Sequence, residues 1–246
     1  MVQRGETQKT KAVVIAAGEG ERLRPYTEII PKIMFPVGGK PIGRIIIETL
    51  RYYNFTEIIL CVSKQWSSYI HDYFNDGNRF NVRIEYSESD KPLGTAGEVK
   101  NAQHLIMDDF LIYYGDVLTK INLRELYEMH EKHKTSPIYM GTLGVQNEID
   151  TEVGLIKINP NCSITAFKEK TKLQQNSWAA VAILKKKVID LINAEDNDFG
   201  NHIFPKIIKE GLTLKAYINT NDWKDVGNLR AYRSVSKQYE DIKKEV

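Results

Sequence analysis

The chain has 246 residues, of which 42% are hydrophobic and 27% charged, which is enough for one well-packed core and favours one large α/β domain over two small ones. The 34 basic residues nearly balance the 32 acidic ones, so the composition gives no sign of a nucleic-acid-binding surface. No apolar run reaches 18 residues and the first ten residues are polar, so we expect no membrane span and no signal peptide. We therefore expect a cytoplasmic protein with a flexible tail at 1–10 and one domain at 11–246.

Strand and helix patterns alternate over the first half of the chain. "KAVVIAAG" is typical of a buried first strand, and "GKPIGRIIIETLRYYNF" has the spacing of an amphipathic helix. The same alternation continues through TEIILCVS, SSYIHDYFNDG, FNVRIEYS, GTAGEVKNAQHLI, DDFLIYYGD and NLRELYEMHEKH, the last with Asn122 as its N-cap. This order predicts a parallel doubly wound sheet with its ligand site at the carboxyl ends of the strands.

The pattern changes after Pro137. Short strand-like stretches follow one another in IYMGTLGV, GLIKI, ITAFKE and WAAVAIL, which predicts a mixed or antiparallel extension of the sheet. We expect helices at KKKVIDLI, at NHIFPKIIKEG with strain at Pro205, and at NLRAYRSVSKQYEDIKKE, with the late strand TLKAYI before the last of them.

The cysteines and histidines indicate no metal site. Cys61 and Cys162 both lie in apolar stretches without a metal ligand beside them, so we expect two reduced core residues. His130 and His133 lie three residues apart on a predicted helix among glutamates and lysines, and we interpret both as surface residues.

A glycine-rich turn, AAGEGERLRPYTEIIPK, follows the first predicted strand. Gly18 and Gly20 carry no Cβ, so the backbone there can approach a phosphate and offer it N–H groups. Arg22 adds a fork of donors that fits phosphate oxygens, and Lys32 adds a compact positive charge. These residues predict a polyphosphate site, and a tight turn with solvated charges is the alternative.

Two common nucleotide-binding glycine loops are excluded. A P-loop ends in Gly-Lys-Ser/Thr, whereas this turn continues Gly-Glu-Arg. A dinucleotide fingerprint has a third glycine where Leu23 stands and an acidic residue after the second strand, where Ser63 and Lys64 stand.

The longer stretch AAGEGERLRPYTEIIPKIMFPVGGKPI resembles the signature of the sugar-1-phosphate nucleotidylyltransferases, Gly-x-Gly-x-Arg-Leu-x-Pro followed by Pro-Lys-x-x-x-Pro-Val-x-Gly-Lys-Pro. PLGTAG, YGDVL, FKEKT and WKDVG resemble further family motifs in the same order, so the resemblance covers nearly the whole chain. It is nearest to mannose-1-phosphate guanylyltransferase-like proteins. It implies a Rossmann-like doubly wound mixed sheet of the nucleotide-diphospho-sugar transferase type, in a single domain without a C-terminal β-helix.

The resemblance implies the catalytic roles. Arg22 should bind the β- and γ-phosphates and stabilise the leaving pyrophosphate, and Lys32 should reach the α-phosphate or the incoming phosphate. Asp116 and Asp225 should hold Mg²⁺, since this ion prefers carboxylate oxygens and retains several waters. Capping of neighbouring segments is the alternative role for each of the two aspartates.

The resemblance also implies which residues contact the substrates. Glu169 and Lys170 should bind the sugar 1-phosphate, with Gly154 facing the sugar and Lys168 as a rival for the phosphate. The PLGTAG loop should read the base. The residues that should contact the nucleotide are mostly small: Ala17, Gly18, Gly20, Glu88, Gly94 and Gly97.

Some positions depart from the family pattern. Glu21 stands where the family usually has Thr or Ser, close to the expected triphosphate. Trp178, Ala180 and Ala182 replace an Asn-Ala-Gly-Ile-Tyr-like strand near the sugar, and TEVGLIKI replaces a Tyr-Gly-Val-Val-like segment. The identity of the sugar therefore stays open.

The implied reaction converts an NTP and a sugar 1-phosphate to an NDP-sugar and pyrophosphate, with GTP and mannose 1-phosphate as the first expectation. A glucose-1-phosphate thymidylyl- or uridylyltransferase and a non-catalytic, nucleotide-sugar-binding regulatory subunit are alternatives. A glycosyltransferase would normally show Asp-x-Asp where this chain has GDV. We expect no nucleic-acid or membrane partner, and a homo-oligomer is compatible with the sequence.

Overall fold

The structure is a computed structural model that describes residues 10–151, 153–169 and 172–244. Over these residues the chain forms strands and α-helices joined by short 3₁₀ turns. The strands are β1 (Ala12–Ile15), β2 (Pro36–Val37), β3 (Lys40–Pro41), β4 (Glu57–Ser63), β5 (Arg83–Ser89), β6 (Phe110–Tyr114), β7 (Val117–Thr119), β8 (Tyr139–Asp150), β9 (Leu155–Ile158), β10 (Ile164–Lys168), β11 (Lys172–Leu184), β12 (Thr213–Asn219) and β13 (Trp223–Asp225). The helices are α1 (Ile42–Tyr52), α2 (Ser67–Phe74), α3 (Gly94–Asn101), α4 (Leu123–His133), α5 (Phe204–Lys209) and α6 (Leu229–Lys244).

A seven-stranded mixed sheet in the order β12-β8-β11-β6-β1-β4-β5 forms the centre of the molecule. The strands predicted from the first half of the chain, β6, β1, β4 and β5, are all parallel. β11 runs antiparallel to both β6 and β8, and β12 pairs in parallel with β8. The predicted doubly wound mixed sheet is therefore confirmed, with the antiparallel strand inserted beside β6.

Both faces of the sheet are covered by apolar packing. Successive β1 residues alternate between the two faces, since Val13 belongs to one core cluster and Ala12 and Val14 to the other. The first cluster includes side chains of α3 and α5, and the second includes side chains of α1, α2 and α4. None of the helices in the described part of the chain is long and apolar enough to cross a lipid bilayer.

The shorter strand pairs lie outside the seven-stranded sheet. β2 and β3 form a hairpin between the glycine-rich turn and α1, and β9 and β10 form a separate hairpin. β7 follows β6 after two residues and pairs with β13, which comes about a hundred residues later in the chain. This last pair brings two distant segments to the carboxyl end of β6.

Several predicted elements differ in detail. KKKVIDLI forms a 3₁₀ turn at Lys186–Leu191 instead of a full helix. NHIFPKIIKEG begins with a π-helical turn at Phe199–Ile203, and Pro205 lies in the first turn of α5, directly after this irregular turn. The expected strain at Pro205 stays a prediction. Asn122 caps α4 as predicted and accepts hydrogen bonds from Arg124 and Glu125.

Two side-chain predictions are wrong. Cys61 is buried, but Cys162 is exposed in the β9–β10 turn, where its φ of 63° marks a bend that the apolar sequence around it did not reveal. His130 is only 1% exposed, and its ring bonds Asp109 and the hydroxyl of Tyr139. The charged neighbours of His130 face solvent, whereas the histidine faces the sheet.

Candidate active site

The glycine-rich turn has two glycines with different functions in the fold. Gly20 has a φ of +65°, and a Cβ placed on it would lie 2.7 Å from Cγ2 of Thr27, whose hydroxyl donates to the carbonyl of Gly20 at 3.1 Å. A Cβ placed on Gly18 would meet no atom within 4 Å. The turn therefore requires Gly20 for its own shape, whereas Gly18 leaves open space on the side of the cavity.

Arg22 lies on the short 3₁₀ turn that follows these glycines. Its neighbour Leu23 is fully buried and anchors this turn in the core. The guanidinium reaches Gly227, since a Cβ placed on Gly227 would lie 2.8 Å from Nη2 of Arg22 and 2.8 and 2.9 Å from the two carboxylate oxygens of Asp225. A glycine at 227 is thus what leaves room for the Arg22 guanidinium and the Asp225 carboxylate beside the same point of the backbone.

Lys32 makes a direct ion pair with Asp116. Nζ of Lys32 lies 2.5 Å from Oδ2 of Asp116, with the two side chains 13% and 27% exposed. Ile33 and Met34 are buried and fix the turn that carries Lys32. A cation from the start of the chain is therefore held at the carboxyl end of β6.

The β7–β13 ladder brings the two aspartates together. Asp116 lies between β6 and β7, and Asp225 is the last residue of β13, paired with Val117. The next residue, Val226, donates its N–H to the carbonyl of Asp116 at 2.9 Å. The two carboxylates meet through this antiparallel pair, and a parallel sheet edge alone would not have placed them in register.

The pKa of Asp225 depends on the other three charged groups of the site, Asp116, Lys32 and Arg22. Burial, together with repulsion from Asp116, raises the pKa of Asp225, while the charges of Lys32 and Arg22 and a backbone bond from Gly227 oppose that rise. Its Oδ1 is buried without a hydrogen-bond partner. An unpaired carboxylate oxygen next to a second carboxylate is costly to bury, so this site favours an added cation.

These groups surround a cavity of about 590 Å³. Gly18, Gly20, Arg22, Lys32 and Asp116 line it, as does Gly227 beside Asp225. Glu21 also lines it, so an acidic residue does stand at the predicted polyphosphate position. The remaining lining comes from Ile15, Ala16, Glu19, Ile33, Pro92, Thr95, Tyr114 and Gly115.

The donor set fits Mg²⁺. Within the described ranges no three His, Cys, Asp or Glu side chains group together as a metal site formed by protein alone. Mg²⁺ needs fewer protein ligands, because it keeps several waters and is commonly bound by one or two carboxylates together with substrate phosphates. Asp116 and the unbonded oxygen of Asp225 supply that minimum.

The predicted base-reading loop is held by a later segment of the chain. Thr95 donates its hydroxyl to Asp198 at 3.0 Å, and the carbonyl of Asn197 accepts from Ala96 at 3.0 Å and Gly97 at 3.4 Å. Gly94 has a φ of +74°, and a Cβ there would lie 2.3 Å from the Asn197 carbonyl oxygen. Pro92 and Thr95 line the cavity, whereas Gly94 and Gly97 pack against Asn197.

Glu98 fixes the same loop from the other side. Its buried carboxyl accepts from the hydroxyl of Ser89 at 2.9 Å and from the N–H of Leu93 at 3.2 Å. Burial raises its pKa, and these two bonds lower it. The loop is therefore preorganised by internal bonds.

Two further predicted nucleotide contacts, Ala17 and Glu88, also lie outside the cavity lining. Ala17 is buried at 3% exposure. Glu88 is on β5, accepts from the hydroxyl of Ser67 and lies 3.4 Å from Nε2 of His71. In this structure Glu88 is engaged with α2, so a base contact would require it to change partners.

The predicted sugar-phosphate residues are partly described. A Cβ on Gly154 would lie 2.9 Å from Oε2 of Glu169 and 2.6 Å from the ring of Phe167, so Gly154 and Glu169 come together at the β9–β10 hairpin. Neither of them lines the main cavity. Lys170 lies outside the described residues, whereas its rival Lys168 ends β10.

The atypical strand β11 carries a bulge near the site. The register between β8 and β11 shifts between Trp178 and Ala182, and Ala180 has a φ of 57°. Trp223, two residues before Asp225, donates its indole N–H to the carbonyl of Ala179 at 2.8 Å. The bulge and the segment that carries Asp225 are therefore fixed to each other.

Sequence reasoning missed three residues that the structure places at the site. Gly227 was noted in WKDVG without a role of its own, although its lack of a Cβ leaves room for the Arg22 guanidinium and the Asp225 carboxylate. Thr95 and Tyr114 line the cavity, whereas neither of them was given a role of its own within PLGTAG and the predicted strand DDFLIYYGD. The local signal for these residues was their position within the motifs PLGTAG, YGDVL and WKDVG.

Comparisons with known proteins identify the family of this chain. The family model described as nucleotidyl transferase matches residues 11–242. A UTP–glucose-1-phosphate uridylyltransferase of Synechocystis is 33% identical, over 90% of this chain and 61% of its own length. A mannose-1-phosphate guanylyltransferase of Mycobacterium tuberculosis is 28% identical, over 90% of this chain and 62% of its own. The chain thus spans about three fifths of the length of these curated relatives.

A solved structure shares the fold. HddC from Yersinia pseudotuberculosis, complexed with GMP-PN, superimposes with a TM-score of 0.70 at 24% sequence identity, covering 94% of this chain and 99% of that one. This likeness covers most of the chain and, together with the family match, confirms the predicted type of fold.

Proposed function

Since the chain belongs to the nucleotidyl transferase family, we propose that it transfers a nucleoside monophosphate from an NTP to a sugar 1-phosphate. One observation carries the proposal: Arg22, Lys32, Asp116 and Asp225 come from four separate segments and converge at one cavity of about 590 Å³. Two cations and two carboxylates are the groups that a triphosphate with a divalent cation requires.

The reaction is an in-line displacement at the α-phosphorus. An oxygen of the sugar 1-phosphate forms the new bond, the bond to the oxygen that bridges to the β-phosphate breaks, and pyrophosphate leaves with that electron pair. No covalent bond to the protein is needed, so positioning and charge neutralisation supply the catalysis. Arg22 holds the leaving phosphates, and the open backbone at Gly18 allows them to approach.

Lys32 changes its partner in this scheme. In the free protein its ammonium neutralises Asp116 at 2.5 Å. A phosphate oxygen attracts this ammonium when substrates bind, and Asp116 is then released for the cation. Loss of Lys32 should cost on the order of 10²–10³ in rate, by analogy with the removal of one preorganised donor.

We propose Mg²⁺ as the metal, held by Asp116 and Asp225, with the unbonded Oδ1 of Asp225 as the supporting observation. When bound, Mg²⁺ supplies positive charge to the phosphate oxygens and helps to orient them. The remaining contacts of the bound substrates come from the protein: the loop that Glu98 and Asn197 fix faces the base, and the Gly154–Glu169 hairpin faces the sugar.

GTP and mannose 1-phosphate are the proposed substrates, since several relatives bear the name mannose-1-phosphate guanylyltransferase. Glucose 1-phosphate with UTP is the second candidate, because the 33% identical relative is named a uridylyltransferase. We also propose a cytoplasmic location, with which the two free cysteines agree.

Pyrophosphate release tests the function. GTP, dTTP, UTP and CTP are each incubated with mannose 1-phosphate or glucose 1-phosphate, with Mg²⁺ or with a chelator. We expect release with one favoured pair, and its loss in chelator. Nucleotide binding without release from any pair would contradict catalysis and favour a regulatory, nucleotide-sugar-binding role.

A further inference from the structure

A second cavity, of about 340 Å³, lies on the outer side of α1. It shares no lining residue with the candidate active site. We call it the α1 groove, and it is lined by Lys40, Arg44, Glu48, Arg51, Arg79 and Phe80.

Helical spacing brings the cations of the α1 groove together. Arg44, Glu48 and Arg51 follow one another at four and three residues on α1, so all three project from one face. Arg44 and Arg51 are roughly 10 Å apart along the helix axis. Arg79 reaches the same groove from the turn before β5.

The groove has more positive charge than the protein neutralises. Glu48 accepts from Lys40 at 2.7 Å and from Arg44 at 2.9 Å, so one carboxylate serves two cations. Among the described residues, Arg51 and Arg79 have no carboxylate within ion-pair distance. Four basic side chains against one acidic side chain leave three positive charges in excess.

Aromatic rings hold Arg79 in place. Its guanidinium carbon lies 4.5 Å from the ring centre of Tyr73 and 4.6 Å from that of Phe80. Arg44 lies 5.8 Å from the centre of the same Phe80 ring. Stacking occupies the faces of the guanidinium groups and leaves their N–H edges available as donors.

We propose that the α1 groove is a second anion site that binds a polyphosphate. The excess charge favours an anion, and arginines in fixed orientations suit the paired oxygens of phosphate groups. The span from Arg44 to Arg51 exceeds the width of one phosphate group, so two or more linked phosphates fit better than one. The source is either free pyrophosphate or the polyphosphate tail of a nucleotide.

The groove lies on the element that supports Lys32. Gly43 of α1 packs against Ile33, since a Cβ there would lie 2.6 Å from Cγ1 of Ile33. Ile33 is the neighbour of Lys32 and itself lines the active-site cavity. A ligand in the groove therefore contacts the helix directly behind the catalytic turn.

Isothermal titration with pyrophosphate, inorganic phosphate and GTP, each in chelating buffer, tests this site. The groove consists of protein cations alone, so we expect pyrophosphate to bind there without metal and more tightly than phosphate. GTP binding there as tightly as pyrophosphate identifies the nucleotide as the source, and weaker GTP binding identifies free pyrophosphate. The double variant Arg51→Ala/Arg79→Ala should weaken binding at the groove by about tenfold or more.

Two further variants give the test its controls. Lys209→Ala removes an exposed charge on α5 and should leave binding unchanged. Glu48→Gln removes the one negative charge of the groove and should tighten binding, a gain that mere disruption of the surface would not give. Circular dichroism melting of each variant checks that the fold is kept.

Arg22→Ala separates this proposal from the proposed function. Binding that persists in Arg22→Ala and is lost in Arg51→Ala/Arg79→Ala supports the groove. Binding that is lost in Arg22→Ala and kept in the double variant overturns the groove and leaves the proposed function standing. Absence of any pyrophosphate binding, even with Mg²⁺, would count against both.

Discussion

Asp225 lies in an unfavourable environment for a charged carboxylate at the candidate site. Its carboxylate is partly buried, lies near Asp116 and has one oxygen without a partner. The pKa of Asp225 is raised, so the folded state holds its proton more tightly than the unfolded chain does. The free energy of unfolding must then fall as the pH rises from the usual aspartate value through the raised one.

Asp225→Asn should therefore separate stability from activity. It removes the buried charge, so the free energy of unfolding at pH 7 should rise, by about 1 kcal/mol at most because the site is partly solvated. The gain should vanish below the usual aspartate pKa, where wild type is protonated as well. Denaturant unfolding at several pH values, with Mg²⁺-dependent turnover on the same samples, measures both effects.

Turnover of Asp225→Asn should fall by on the order of 10² or more, since half of the proposed metal site is lost. Asp222→Asn is the matched control, because Asp222 is half exposed and pairs with Lys120 at the surface. Wild-type turnover in Asp225→Asn with Mg²⁺ would remove Asp225 from the site.

The two glycines of the first turn give a second prediction at this scale. Gly20→Ala introduces a Cβ 2.7 Å from Thr27 at a φ of +65°, so it should destabilise the fold by about 1–2 kcal/mol. Gly18→Ala meets no atom of the protein, so it should keep the stability and raise KM for the NTP. Thermal melts and steady-state kinetics distinguish the two, and equal effects of both variants on stability would contradict this division.

The sequence motifs identified the charged residues of the site, but they did not identify the neighbouring residues that the site also needs. Arg22, Lys32, Asp116 and Asp225 were identified because cations and carboxylates in loops are recognisable in the sequence. A glycine is needed at 227 because a Cβ there would lie too close to the Arg22 guanidinium, which is far away in the sequence. His130 was misassigned because charged neighbours do not indicate which face of a helix a residue occupies.

Among the elements, β11 departs most from what its sequence predicts. WAAVAIL has the composition of a regular strand, yet Ala180 adopts a left-handed conformation within a shift of register. The indole of Trp223 bonds the carbonyl of Ala179 and fixes the bulge. A contact between segments more than forty residues apart leaves no trace in local periodicity.

Ala180→Gly should stabilise the protein by about 0.5–1 kcal/mol, because glycine adopts a positive φ without the Cβ clash. Ala182→Gly is the control, since Ala182 is buried in regular pairing on the same strand and its replacement should destabilise by a similar amount. Urea unfolding of both variants measures the difference. Destabilisation in both would show that the conformation of Ala180 is not strained.

At the scale of the whole molecule, the alternation of strand and helix patterns predicted the parallel half of the sheet. It could not predict the order of the remaining strands. β1, β4, β5 and β6 follow one another with intervening helices, so their pairing follows from right-handed crossover connections. The insertion of β11 between β6 and β8, and the pairing of β7 with β13, depend on contacts between distant segments. The fold class was therefore predictable, while the ladder that joins the two aspartates was not.

A complex structure with Mg²⁺ and a non-hydrolysable analogue of the preferred NTP tests the central claim most directly. We predict the β- and γ-phosphates within about 3 Å of the Arg22 guanidinium, and the metal between the triphosphate and the carboxylates of Asp116 and Asp225. A triphosphate bound only in the α1 groove, with Arg22 and Lys32 turned away from both aspartates, would contradict the account.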